Sequence, residues 1–137
     1  MSASAPETVP HATQLRYCVW EITLRCDLSC GHCGSRAGKA RPDELSTEEA
    51  LDVVRQLAEL GCSEVTLIGG EAYLRPDWTQ ISRAIKDAGM LATMTTGGRG
   101  ITPERAQEAF DGGLDSVSVS MDGLRETHDR QRGLKGS

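Results

Sequence analysis

A unit of apolar strand, glycine-bearing turn, amphipathic helix and closing glycine recurs about every 25 residues along this chain, and it leaves few folds open. The strand segments fall at residues 15–23, 64–68, 91–95 and 116–120, each β-branched or aromatic and each running into an unusual loop. The first helix starts at Ser46, which makes a capping box with Glu49. Ala50, Val54, Leu57 and Ala58 follow on one face, and Gly61 ends it. The second starts at Pro76-Asp77, turns Trp78, Ile81, Ala84, Ile85 and Ala88 inward, and stops at Gly89. The third has Thr102 as N-cap and Pro103 at its first position, and ends at Gly112-Gly113. The charged stretch 124–134 can start a fourth. Such alternation means an α/β fold of about four parallel strands joined by right-handed crossover helices.

Ligands in these folds collect where the strands end. The cysteine loop, Gly69-Gly70-Glu71, Thr95-Thr96-Gly97-Gly98 and Ser120-Met121-Asp122-Gly123 all fall at those ends, so four separated segments are expected at one mouth. Four strands cannot close a barrel, and an open sheet would leave pairing edges. The expectation is therefore the front portion of a longer barrel: residues 15–137 as one incomplete core, preceded by a polar arm at 1–14 with neither the basic start nor the apolar core of a secretory signal.

Cys26, Cys30 and Cys33 lie in C-D-L-S-C-G-H-C, directly after the first strand segment. Three thiolates on one tight loop can hold three irons of a cubane cluster and leave the fourth iron open. Zinc sites favour paired C-x2-C units, and no second pair exists; His32 sits between two of the ligands, too close in sequence to share their metal comfortably. A zinc site or three unrelated thiols are the alternatives. Cys18 and Cys62 lie in apolar segments and read as small core residues. Clustered, odd-numbered cysteines do not make an extracellular disulfide framework and point to a reducing, cytoplasmic setting. With 15 Lys and Arg against 20 Asp and Glu, the net charge is -5. That balance, without any basic run, argues against nucleic acid or membrane surfaces as partners. No apolar stretch nears the ~20 residues of a membrane span. His11 and His128 have no ligand partners at useful spacing and are expected in solvent.

The cysteine run, G-G-E at 69–71, T-T-G-G at 95–98 and S-V-S-M-D-G at 118–123 together resemble, in order and spacing, the radical S-adenosylmethionine (SAM) enzymes. The likeness runs from about Arg16 to the C-terminus and is greatest to the peptide- and cofactor-maturing branch whose members often carry a SPASM domain; no such domain is present in these 137 residues. The resemblance implies a partial (β/α)6 TIM-like barrel. It implies a [4Fe-4S] cluster on Cys26, Cys30 and Cys33, with SAM chelating the open iron. Reductive cleavage then gives methionine and a 5′-deoxyadenosyl radical that takes a hydrogen atom from a substrate, an oxidoreductase chemistry fed by a flavodoxin- or ferredoxin-type donor. A peptide or a small cofactor precursor is the implied substrate.

The same resemblance assigns roles around the mouth. Glu71 would receive the methionine amino group, beside Gly69 and Gly70, which let backbone approach the ligand; Ala72 stands where relatives usually have Pro. Ser120 would serve the ribose or carboxylate, and His32 would pack near the adenine. Thr95 and Thr96 stand where relatives often show Thr-Asn, and keep a lining role. Arg25 and Arg36 would soften the charge of an anionic cluster, and Glu21 sits where strand parity does not decide its direction. Two rivals belong to other classes: a non-catalytic zinc or structural iron–sulfur module, and a truncated product inactive without a partner chain.

Overall fold

The computed structural model describes residues 15–137, so the expected arm at 1–14 and His11 within it lie outside the described residues. Strands β1 (Tyr17–Glu21), β2 (Glu64–Ile68), β3 (Leu91–Thr96) and β4 (Ser116–Val119) alternate with helices α1 (Thr47–Glu59), α2 (Trp78–Asp87), α3 (Pro103–Asp111) and α4 (Arg125–Arg132). The strands form one parallel sheet in the order β1-β2-β3-β4. Every crossover therefore joins neighbours, as consecutive βα units of a barrel wall must. The strand 15–23 expected from sequence is shorter at both ends, because past Glu21 the chain turns into the cysteine loop, although the Ile22 N–H still donates to the Ile68 carbonyl at 3.0 Å.

Strand alternation splits the sheet into an apolar and a polar face. Cys18, Trp20, Val65, Leu67, Ala92 and Met94 face the helices and join Ala50, Val54, Trp78, Ile81 and Ile85 in the core. Leu67, Ile81 and Ile85 are fully buried, and each contributes about 1.5–3 kcal/mol by leaving water. The opposite face is hydroxylic: Tyr17 Oη lies 2.8 Å from Thr66 Oγ1, which lies 2.6 Å from Thr93 Oγ1. Glu21 shares the parity of Tyr17 and Val19, and its carboxylate is held by Ser35 and Arg41.

The helix boundaries follow local chemistry. Ser46 Oγ accepts the Glu49 N–H and Glu49 accepts the Ser46 N–H, completing the capping box. Thr102 Oγ1 accepts the Arg105 N–H at 3.3 Å. Ala88, expected inward, is exposed: it is the C-cap of α2, already out of helical geometry, and Met90 takes the buried position beyond it. Helix α4 forms where the charged stretch allowed one and carries one buried side chain, Arg132.

Candidate metal centre

The cysteine loop leaves β1 and is closed on itself by the Cys26 N–H to the Gly38 carbonyl (3.1 Å) and the Gly38 N–H to the Leu24 carbonyl (2.8 Å). Glu44 pins its root, accepting from the Leu24 N–H at 2.8 Å, the Thr23 hydroxyl at 3.0 Å and the Arg41 N–H at 3.0 Å. Burial works to raise the Glu44 carboxyl, but these donors and the Arg75 charge outweigh it and hold its pKa below the ordinary value.

The end of β2 lies directly against this loop. The Gly70 N–H donates to the Thr23 carbonyl at 2.9 Å and the Glu71 N–H to the Arg25 carbonyl at 2.8 Å. A Cβ on Gly69 would meet the Thr23 oxygen at 2.3 Å, and one on Gly70 the Arg25 oxygen at 2.3 Å and Cys26 Cβ at 2.6 Å. The side-chain space at both is filled by the backbone that carries Cys26, so their lack of a Cβ brings two loops of the chain together.

Cys26, Cys30 and Cys33 line one cavity of about 230 Å³ together with His32, Gly69, Gly70, Glu71, Thr95, Thr96, Ser120 and Arg132. All three are free thiols. Cys26 Sγ accepts the Leu28 N–H at 3.5 Å and Cys33 Sγ the Ala37 N–H at 3.4 Å. Burial pushes the Cys26 thiol up; the Leu28 N–H opposes this, and the nearby Glu71 and Asp27 charges add to it. A bound cation reverses that balance, because a coordinating thiol is deprotonated outright. Cys18 packs against the core and Cys62 is buried within it, so neither supplies a fourth thiolate here.

Glu71 is buried beside these sulfurs. Its oxygen, Cys26 Sγ and an Asp27 oxygen all lie within 4.8 Å of one another. The Thr96 hydroxyl donates to Glu71 Oε2, and the Gly97 N–H donates to Oε1 at 2.7 Å. Burial raises the Glu71 carboxyl above its ordinary value despite these two donors and the Arg132 charge. A Cβ on Gly97 would come within 2.8 Å of Oε1, so a side chain there would push the carboxylate from its present place. Thr96 thus orients Glu71, a more specific role than lining. Ser120 follows β4, its N–H bound to the Thr96 carbonyl at 2.9 Å, and it borders the same cavity.

Sequence reasoning missed Arg132. Its guanidinium is buried, with Nη1 3.9 Å from Cys30 Sγ and Nε 2.6 Å from Asp122 Oδ2. Arg25 and Arg36, the cations expected to serve the cysteines, are both exposed. The local sequence offers no periodicity that sets Arg132 apart from its charged neighbours; its place is set by the docking of α4 on the cysteine loop. His128, expected in solvent, is mostly covered, because the Asp122 N–H donates to its Nδ1 at 3.2 Å. His32 Nε2 lies 3.4 Å from Asp122 Oδ1, with its side chain still about half exposed.

The Radical SAM superfamily model matches residues 20–137. Over 87% of its length the chain is 39% identical to the Fe-coproporphyrin III synthase of Methanosarcina barkeri, covering 30% of that protein. Over 98% of its length it is 34% identical to the PqqA peptide cyclase of Rhizobium meliloti, covering 36%. Streptococcus suis SuiB bound to S-adenosylmethionine superposes with a TM-score of 0.75 at 19% identity, over 89% of this chain and 29% of SuiB. The chain thus spans about a third of the length of the curated relatives it matches.

Proposed function

The chain belongs to the Radical SAM superfamily, and from that premise we propose that its 137 residues form the cluster- and SAM-binding part of an enzyme that matures a peptide or a cofactor precursor. The family's cofactors are a [4Fe-4S] cluster and SAM, and the residues here fit them. The observation that carries the reading is the cavity in which three free thiols, two of them accepting backbone N–H groups, face a buried Glu71 and a buried Arg132. Hydrogen bonds to sulfur and a neighbouring cation suit sulfur that carries negative charge.

In this reading Cys26, Cys30 and Cys33 hold the cluster. When bound, cluster and SAM supply one-electron reductive cleavage and with it the radical that abstracts hydrogen from substrate. The protein's own part is positioning and exclusion of water. Glu71, held by Thr96 and Gly97, turns a carboxylate toward the same cavity for the SAM amino group. Ser120 and His32 border it from β4 and from the cysteine loop, where a hydroxyl and a flat ring suit ribose and adenine. Gly69 and Gly70 act by seating Cys26 against Glu71. The substrate class rests on relatives such as the PqqA peptide cyclase and on SuiB, whose structure bound to the precursor peptide SuiA matches with a TM-score of 0.76. The reading includes a flavodoxin- or ferredoxin-type donor and a cytoplasmic setting, in keeping with free cysteines; among the described residues no helix is long and apolar enough to cross a membrane.

Anaerobic reconstitution tests it. About four irons and four sulfides per chain, with 5′-deoxyadenosine formed from SAM under dithionite, are expected, and Cys30→Ala abolishes both. A single colourless zinc per chain would identify a structural metal module instead. A full cluster with no deoxyadenosine would confine this chain to cofactor binding.

A further inference from the structure

Charge is unevenly distributed around the three cysteines. On the Cys26 side stand two carboxylates, Asp27 and Glu71, with ligand atoms within 4.8 Å of Cys26 Sγ. On the Cys30 side stands Arg132, 8% exposed, with Nη1 3.9 Å from the sulfur. It is not a loose surface cation. Asp122, just beyond β4, pairs with it by charge, Oδ2 lying 2.6 Å from Nε without the alignment of a hydrogen bond, and Asp122 is itself flanked by His32 and His128. The helix carrying Arg132 is fastened to the cysteine loop from both sides: the Gly31 N–H donates to the Gln131 carbonyl at 2.9 Å, and Gly133 packs against the Ser29 carbonyl. The same guanidinium lies 3.6 Å from the place a Cβ would take on Gly97, the residue whose N–H holds Glu71.

We propose that Arg132, charge-paired with Asp122, sets the reduction potential of the cluster held by Cys26, Cys30 and Cys33. The inference rests on the cluster reading above. A fixed cation and an N–H donor at a ligand sulfur both stabilise the more negative, reduced cluster, and so make electron uptake easier. In this position Arg132 offsets Asp27 and Glu71, whose charges do the reverse. Asp122, anionic and 2.6 Å from Nε, moderates the field of the guanidinium at Cys30. The sign of the effect therefore separates this role from simple stabilisation. Removing either member of a structural ion pair loosens the fold in the same direction, whereas removing the cation or the anion shifts the potential in opposite directions.

The test is a reductive titration of the reconstituted 137-residue chain, followed optically and by electron paramagnetic resonance. Arg132→Met is expected to lower the equilibrium constant for reduction about tenfold, which for a one-electron couple is 59 mV to more negative potential. Asp122→Asn shifts it the other way, and Arg132→Lys, which keeps the charge, stays within about threefold of the parent. Iron and sulfide counts accompany each titration. Equal potentials in all four proteins, or shifts of one sign for Arg132→Met and Asp122→Asn, overturn the proposal. Should Arg132→Met hold no cluster, Asp122→Asn decides: an upward shift supports the role, and none or a downward one ends it. A parent chain that holds no iron–sulfur cluster overturns the functional reading and this inference together, whereas a loaded parent with unmoved variants overturns this inference alone.

Discussion

Gly70 shows how one missing side chain ties two loops together. A Cβ there would press on the Arg25 oxygen at 2.3 Å and Cys26 Cβ at 2.6 Å, and neither is the free end of a flexible side chain. Gly70→Ala is expected to destabilise the chain by about 1–3 kcal/mol in urea unfolding, the usual cost of overpacking. On the proposed cluster reading it also lowers the iron bound per chain, because the atom displaced carries the Cys26 sulfur. The Arg75–Asp77 pair acts at the root of the same loop. Asp77 Oδ1 is 2.6 Å from Arg75 Nε and Oδ2 is 2.9 Å from Nη2, while the Thr47 hydroxyl donates to Oδ2 at 2.7 Å. Arg75 also reaches the Ile22 and Leu45 carbonyls, so the pair joins the end of β1 to the starts of α1 and α2. Burial would raise the Asp77 carboxyl, but the Arg75 and Thr47 hydrogen bonds and the Arg75 charge bring it below its ordinary value. A depressed folded-state pKa contributes stability above the unfolded pKa of about 3.9 that is lost as pH falls through the folded value. Asp77→Asn should therefore cost about 3–5 kcal/mol at neutral pH and flatten the decline in stability below about pH 4, both measured by denaturant unfolding across pH.

Among the elements, α4 depends most on its surroundings. Its sequence, RETHDRQR, has no apolar stripe, and its one buried residue is Arg132. An isolated helix of this length is marginal in water, so docking holds it. Gly133 ends it at a φ of 70°, and a Cβ there would lie 2.7 Å from the Ser29 oxygen. Gly133→Ala combines an unfavourable backbone conformation with a clash against the cysteine loop, and should destabilise by about 1–3 kcal/mol. Hydrogen exchange would locate the loss: faster exchange at residues 125–132 and at Gly31, with α1 and α2 unchanged. By contrast α1 and α2 carry apolar faces, and α1 a capping box, so their sequences mark them locally, while packing of those faces on the sheet holds them.

At the scale of the whole molecule, the sheet has two outer strands, and β4 is the barer. Val117 and Val119 are 44% and 58% exposed, and Met121 beyond them is 81% exposed. A flat apolar edge with unpaired backbone groups is a template for another strand. The 137-residue chain is expected to associate as its concentration rises in sedimentation velocity runs, and Val119→Lys to shift it toward monomer without changing its secondary structure. The polar inner face, Tyr17 to Thr66 to Thr93, fits a wall whose other side is closed by helices, so the sheet has one dry face and one wet.

The βα alternation, the capping residues and the three cysteines were legible in the residues alone, because periodicity, helix ends and ligand spacing are written within short stretches of chain. That Gly69 and Gly70 seat the cysteine loop, that Thr96 and Gly97 grip Glu71, and that Arg132 lies against Cys30 were decided by tertiary structure. Glu71 and Thr96 are 25 residues apart and Cys30 and Arg132 are 102 apart. Side chains so far apart meet only once the parallel strands bring their ends to one rim. An exposed arginine and a buried one read alike until the packing takes the water from one of them.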